Sequence, residues 1–252
     1  HNDSGDGPFL YAFDLSGRAC GVWRITGAEA KDWEDMAAGP GPEKGQHYLF
    51  IGDIGDNFRR RRDVVVYRVA EPKLTGRDAS SRVRPRQTGR AEAIRLRYPD
   101  GKHDAEALLV HPTTGDLYIV TKKVGSAAGV YKATAPLSTS SVTVLRRIGE
   151  VRGDGFLGGV VTGGDIAPDG RRLVLSDYGG ARELALSDAP GVAFDTIWEQ
   201  APVKLTLPER RQREAICYRF DGRAVLTTSE GRPAPLDQVA LTDPLVSGDE
   251  GR

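Results

Sequence analysis

Carboxylates recur at fixed places in this 252-residue chain. Glu34, Glu106, Asp165 and Glu214 close the motifs Asp32-Trp33-Glu34, Asp104-Ala105-Glu106, Gly163-Gly164-Asp165 and Gln212-Arg213-Glu214, each at the start of a strand-like run. Asp3, Asp53, Asp177 and Glu230 form a second set, as in Asp53-Ile54-Gly55-Asp56 and Asp177-Tyr178-Gly179, placed where other runs end. Carboxylates gathered in one place repel, so without counter-charge some must hold a proton near neutral pH. A divalent cation removes the repulsion. Ca²⁺ fits best, because it takes roughly six to eight oxygen ligands in tolerant geometry and the motifs offer few nitrogen or sulfur donors. Ion pairs with Lys31, Lys102, Lys122, Arg211 and Arg213 are the alternative remedy.

His103 directly precedes Asp104, and His1 stands beside Asn2-Asp3, so both are candidates for the same face; His103 is the candidate general base. Arg59 to Arg62 form an unbroken run after an acidic motif. Guanidinium groups bind phosphate or carboxylate oxygens in bidentate fashion, so Arg60 and Arg61, with Lys122, are candidates to hold an anionic small molecule or glycan. The Gly-rich connection from Gly149 to Gly164 is a candidate cover for that face. No Gly-x-Ser-x-Gly elbow, His-Glu-x-x-His or Walker sequence is present, which disfavours a serine nucleophile. Two functions fit these parts. One is a metal-dependent hydrolase of an ester, lactone or phosphoester, and the other is a non-enzymatic module that binds a protein or glycan on the same face.

Bringing residues so far apart together requires a repeat. The unit HDAEALLVHPTTGDLYIVTKKVGSAAGVYKATAP, His103 to Pro136, contains an acidic start, a strand, a turn, a second strand, a loop and a third strand. The same order recurs from Asp32, from Gly163 and from Arg213, whereas the opening stretch matches only the second half of a unit. Thirty-one Gly and 15 Pro break the chain into short runs rich in Val, Ile, Leu, Tyr and Thr. The expected fold is therefore all-β, a β-propeller of about five four-stranded blades around a central channel. A sandwich shares the alternation but does not explain the repeated acidic start. The boundaries expected are a single domain over 1–252, with a partial blade at 1–26 and blades at about 32–98, 103–148, 163–207 and 212–241. Outer strands are expected at Ala93–Tyr98, from Val142 and from Pro202, and the polar stretch Lys73–Arg90 is expected to be a surface loop. In a propeller the first strands line the channel, and their starts share a face with the ends of the second strands. Both acidic sets should meet at one mouth.

Lys plus Arg and Asp plus Glu are 35 each, so no global field recruits nucleic acid. At 39% hydrophobic and 28% charged the composition is that of a globular protein, expected to be a monomer. No apolar run approaches the roughly 18 residues of a spanning helix. Cys20 and Cys217 fall on different strands and are expected to be unpaired. The chain starts at His1 in the middle of a structural pattern, which points to a processed export signal and a secreted or periplasmic location. The motifs DWED, HDAEALLVHPTTGDLYIVTK, NDSGD and GDIGDN resemble those of bacterial propeller proteins related to phytase-like esterases and to senescence-marker/gluconolactonase propellers. The resemblance implies a divalent cation, often calcium, at the axial top of the channel, with substrate bound above it. By position it makes Glu34, Glu106, Asp165 and Glu214 the inner ligands.

Overall fold

The computed structural model describes residues 1, 5–74, 79–151, 160–209, 213–229 and 234–241. The strands in chain order are β1 (Phe9–Phe13), β2 (Ala19–Thr26), β3 (Trp33–Pro40), β4 (His47–Asp53), β5 (Val64–Ala70), β6 (Arg86–Arg90), β7 (Glu92–Arg97), β8 (Ala105–Val110), β9 (Leu117–Thr121) and β10 (Ala128–Ala133). They continue as β11 (Thr143–Val144), β12 (Arg146–Val151), β13 (Val161–Ile166), β14 (Arg172–Asp177), β15 (Gly180–Ala185), β16 (Val203–Leu205), β17 (Arg213–Tyr218), β18 (Ala224–Ser229) and β19 (Asp237–Ala240). One 3₁₀ helix, Phe194–Glu199, lies between β15 and β16. Five sheets result, ordered β1-β2-β6, β3-β4-β5-β7-β11, β8-β9-β10-β12, β13-β14-β15-β16 and β17-β18-β19. They are the five blades of a β-propeller.

Strand periodicity explains how the blades stack. Successive side chains point to opposite faces of a strand. In β4, Leu49 and Ile51 pack with Leu10 and Trp23 of the first blade, while Tyr48 and Phe50 pack with Leu108 and Ile119 of the third. In β8, Leu108 joins the core on one side and Leu109 the core on the other, so the whole run AEALLV is buried. Four cores of this kind separate consecutive blades.

Two strands depart from the expected boundaries. The stretch 73–90, expected as a loop of the second blade, contains β6, which pairs in parallel with β2 of the first blade. Similarly, β11 leaves the third blade to pair in parallel with β7 of the second, and only β12 serves as the third blade's own outer strand. The cause is the main chain. β6 is largely exposed and has no apolar rhythm, but Ala91 N–H donates to the Thr26 carbonyl at 2.8 Å and Thr26 N–H to Thr88 Oγ1 at 3.1 Å. Each crossover thereby covers a blade edge that would otherwise be open.

The inner strands β3, β8, β13 and β17 are neighbours around the axis. Their inward edges carry N–H groups that no fifth strand pairs, and these groups need acceptors. Asp35 supplies one. Its Oδ2 accepts from Leu108 N–H at 2.9 Å and from Gly164 N–H at 3.3 Å, and its Oδ1 accepts from Met36 N–H at 2.8 Å. One carboxylate thus ties three blades. Gly164 permits the close approach of β13 and β14, because a Cβ there would lie 2.9 Å from the Val174 carbonyl oxygen. Asp165 repeats the device one blade further on, accepting from Tyr218 N–H and Ile166 N–H at 2.9 Å each. Asp35→Ala is expected to lower unfolding free energy by about 1–3 kcal/mol, by stranding buried donors. Asp35→Asn, which keeps one acceptor oxygen, should lose less; urea unfolding of the two variants measures the difference.

Candidate functional site

The four inner strands begin with the same irregularity. Pairing skips one residue between Trp33 and Asp35, between Ala105 and Ala107, between Val161 and Gly163, and between Arg213 and Ala215. The residues left over are Glu34, Glu106, Thr162 and Glu214. A bulge re-aims its extra side chain, and three of the expected carboxylates therefore share one structural position. Asp165 does not. It pairs with Val174, deeper along the strand, and both its oxygens are taken by backbone N–H groups, so its placement at the mouth is corrected. Matching Gly-Gly-Asp to Asp-x-Glu by composition put the start of β13 three residues too late; the bulge falls on Thr162.

Around Glu34 and Glu106 the chain gathers further acids. Asp53, Asp56, Asp104 and Glu106 are each less than one-tenth exposed. Asp104 accepts from Asp56 N–H at 2.7 Å, which joins the β4–β5 loop to the start of the third blade. Asp53 accepts from Lys31 N–H at 3.2 Å and Asp32 N–H at 3.3 Å. Gly55 is required here, because a Cβ would collide with the carboxylates of both Glu34 and Asp32. Burial, followed by the charges of Glu106, Asp32 and Asp104, pushes Glu34 up to about 9. Asp32 is raised for the same reasons, first by burial and then by Asp104.

Two cations enter this acidic pocket. Arg61 Nη1 donates to Asp53 Oδ1 at 2.6 Å and to the Gly55 carbonyl at 2.9 Å. Lys122 bonds Glu106 and reaches across to Tyr178 Oη of the fourth blade at 3.1 Å. Burial opposes its charge, but the bonds to Glu106 and Tyr178 prevail and hold Lys122 above its ordinary value. Arg61 and Lys122, expected to face substrate, are thus engaged with the protein's own acids. Arg60 is exposed and lies over the ring of exposed Phe58 at 5.2 Å. Asp56 accepts the backbone N–H of both Arg60 and Arg61 at 2.8 Å, and that turn decides which arginine points inward.

His103 sits at the same junction. Its Nε2 is 3.0 Å from Asp100 Oδ1 and 3.1 Å from Tyr131 Oη, and its ring stands edge-on to Tyr98 at 4.9 Å. Tyr98, Tyr131 and Asp100 escaped the sequence reading. Asp177 caps the Gly179 N–H at 2.7 Å and lies 3.5 Å from Arg182. Asp3, Glu230 and positions 152–159 of the expected cover lie outside the described residues. Among the described residues no three His, Cys, Asp or Glu side chains converge as a preformed metal site. Cys20 and Cys217 are free thiols, as expected. No helix of the described residues is long and apolar enough to cross a membrane.

No family model and no curated protein matches the sequence. Solved structures similar to it include a chain of the nidogen–laminin complex, at 13% identity and TM-score 0.46 over 78% of this chain and 58% of that one. A chain of an active polycomb repressive complex 2 in the basal state gives 16% and 0.45, covering 84% of this chain and 37% of that one. A candidate 6-phosphogluconolactonase of Bacteroides fragilis gives 12% and 0.43, covering 94% and 65%. The chain thus spans less than two thirds of these three structures, and no activity transfers to it from them.

Glu34 at about 9, Asp35 at about 8 and Asp165 at about 7 are all raised by burial above ordinary carboxylates. At these three carboxyls the folded state therefore binds more protons than the unfolded chain between about pH 4 and pH 9, outnumbering the opposite contributions of His111 and the His1 α-amino group, which burial lowers. The stability these protons confer is complete below the unfolded values and is lost as pH rises through the folded ones. Melting temperature should fall steadily from pH 5 to pH 9. Glu34→Gln should flatten the upper part of that decline, which thermal melts across the range measure.

Proposed function

We propose that the mouth of the propeller between blades two and three binds a divalent cation, calcium by its chemistry, and supports hydrolysis of an ester-type bond in an anionic substrate. The observation that carries this reading is Glu34, whose carboxyl is driven towards protonation first by burial and then by the charges of Glu106, Asp32 and Asp104. Arg61 and Lys122 leave that excess uncancelled, and hard oxygen donors in excess suit Ca²⁺. Glu34, Glu106, Asp32 and Asp104, which are not preformed as a ligand set, would have to draw together to hold it. Bound there, the cation would supply Lewis-acid polarisation of a carbonyl or phosphoryl oxygen. The remaining work belongs to the chain. With Nε2 of His103 facing the Asp100 carboxylate, that nitrogen carries the proton and Nδ1 is left to accept one from water. Arg60, exposed at the tip of the β4–β5 loop, is placed to meet an anionic group. Extracellular calcium modules bind with Kd of about 10⁻⁴–10⁻³ M, and a site of that modest affinity fits a secreted or periplasmic monomer.

A second reading rests on the pairing of Lys122 with Glu106 and of Arg61 with Asp53. These ion pairs would hold the loops without metal, and the face would bind a protein or glycan. Melts at pH 8 distinguish the two. Added Ca²⁺ should raise the midpoint by several degrees, by selective binding to the folded state, and Glu34→Gln should abolish the rise. An unchanged midpoint favours the ion-pair reading. In a screen of lactones, aryl esters and phosphoesters with Ca²⁺, His103→Gln should reduce turnover by about 10²-fold or more. Absence of turnover above the metal blank removes the enzyme reading.

A further inference from the structure

Two loop tips on the face of the carboxylate mouth carry apolar side chains into solvent. Phe58, in the β4–β5 connection, is 79% exposed, and Val124, in the β9–β10 connection, is 70% exposed. Arg59, Arg60, Arg62 and Lys102 are exposed on the same face. Among the described residues no ion pair holds the guanidinium of Arg59, Arg60 or Arg62, and Arg60 rests over the Phe58 ring. The acids of these connections are held within the protein: Asp63 by Arg97 at 2.6 Å, Asp100 by Tyr131 at 2.8 Å, and Asp56 and Asp104 by burial against backbone N–H groups. The charges left over are therefore positive. The face is also stiff, because Lys102 Nζ donates to the Arg60 carbonyl at 3.0 Å and Lys122 N–H to the Asp104 carbonyl at 2.9 Å, bracing the connections 54–63, 98–104 and 122–127 against one another. Arg59 has φ 51, a left-handed conformation that strains an arginine and not a glycine, and its N–H donates to the Asp56 carbonyl at 2.7 Å. The turn holds a charged side chain where glycine would be unstrained.

We propose that this face docks on an anionic lipid surface, with Phe58 and Val124 entering the boundary between headgroups and acyl chains and Arg59, Arg60, Arg62 and Lys102 meeting lipid phosphates. Stable attachment at such an interface takes two signals, apolar insertion and basic attraction, and both stand on these connections. Arginine and lysine stems lie against hydrocarbon while their heads stay at the phosphates, which suits cations that flank an inserted ring. A sulfated glycan would pair with the cations but offers no hydrocarbon to the two apolar tips. A rigid acidic protein would need a pocket for each projecting side chain, whereas a fluid surface accepts both. The chain carries no net charge, so the attraction is local to this face and falls off within a Debye length. The proposal goes beyond the hydrolase reading and requires no metal.

The test is sedimentation of the full chain with vesicles of phosphatidylcholine alone and of phosphatidylcholine mixed with phosphatidylglycerol, in chelator so that no divalent cation bridges protein to lipid. Binding to the mixed vesicles alone is expected, and raising salt from about 0.1 M to about 0.5 M should weaken it at least about tenfold. Phe58→Ser should weaken it about tenfold. Arg59→Gln combined with Arg62→Gln should do so at least about tenfold, since each cation near an anionic surface contributes about fivefold. Both variants should keep the native melt. Phe220→Ser is the control: Phe220 is 92% exposed on the hairpin joining β17 to β18, a first-to-second-strand connection at the opposite end of the blades, and its loss should change nothing. Absence of vesicle binding in chelator, equal binding to neutral vesicles, or unchanged affinity in either the Phe58 or the double arginine variant would overturn the proposal. Soluble polyglutamate that binds as tightly as the mixed vesicles would overturn it in favour of an acidic protein. Failure here leaves the cation reading intact, and an unchanged melt with Ca²⁺ leaves this proposal intact.

Discussion

The carboxylate of Asp35 is the constraint on which the centre of the molecule depends. A propeller places its innermost strands side by side without hydrogen-bonding them into one sheet, so the N–H groups of their inward edges need acceptors from elsewhere. Asp35 meets three of them at once, from β3, β8 and β13. Asp165 meets the next from β17. The cost of this arrangement is two carboxylates buried among backbone groups, and it appears in their raised proton affinity. Hydrophobic packing between blades sets their spacing, whereas these two side chains set their register at the axis.

The same burial of acids, moved one residue towards the mouth, changes meaning. At Asp35 the oxygens are consumed by N–H donors. At Glu34 they meet other carboxylates, and a glycine is needed at position 55 to let them approach. Arg61 and Lys122 relieve the flanks, each tied to one acid and to one further group that fixes its direction. The repulsion left over falls on Glu34, the bulge residue of the second blade, and with burial favours its protonated form. An identical bulge in the third blade carries Glu106, already paired with Lys122. Equivalent backbone positions thus meet different partners: a lysine at Glu106, other carboxylates at Glu34.

This division explains what could be read in the sequence. The blades were legible because strands buried on both faces, such as AEALLV in β8, leave an apolar signature. Glu34 and Glu106 were legible because Asp-x-Glu precedes each run. Asp35 was not, since it adjoins Glu34 and nothing in composition says which of two acids turns to the axis. β6 and β11 were illegible for a different reason: main-chain pairing needs no side-chain pattern, so a basic, exposed stretch can complete a neighbour's sheet. The arginine run was legible as a loop beside the acids, but which arginine turns to them was not, because Asp56 fixes the turn that sends Arg61 inward to Asp53 and leaves Arg60 outside. His103 was singled out from its neighbour Asp104, whereas the groups its ring contacts are Asp100 and Tyr131.

The mouth cluster lies at the junction where the second and third blades are joined by several independent kinds of contact. Asp35 links β3 to β8, and β11 extends the second blade from the third. Asp56 N–H reaches Asp104, and Lys102 Nζ reaches the Arg60 carbonyl at 3.0 Å. A shared core that includes Phe50, Leu96 and Leu108 lies beneath. A carboxylate whose proton affinity depends on neighbours a few ångströms away keeps that property only if those neighbours cannot relax apart. Repulsion within the cluster tends to open the junction, and the packing and main-chain bonds oppose it. The perturbed chemistry of Glu34 is therefore a consequence of the fold's own cross-linking, and a loop site of the same composition would lose it by spreading.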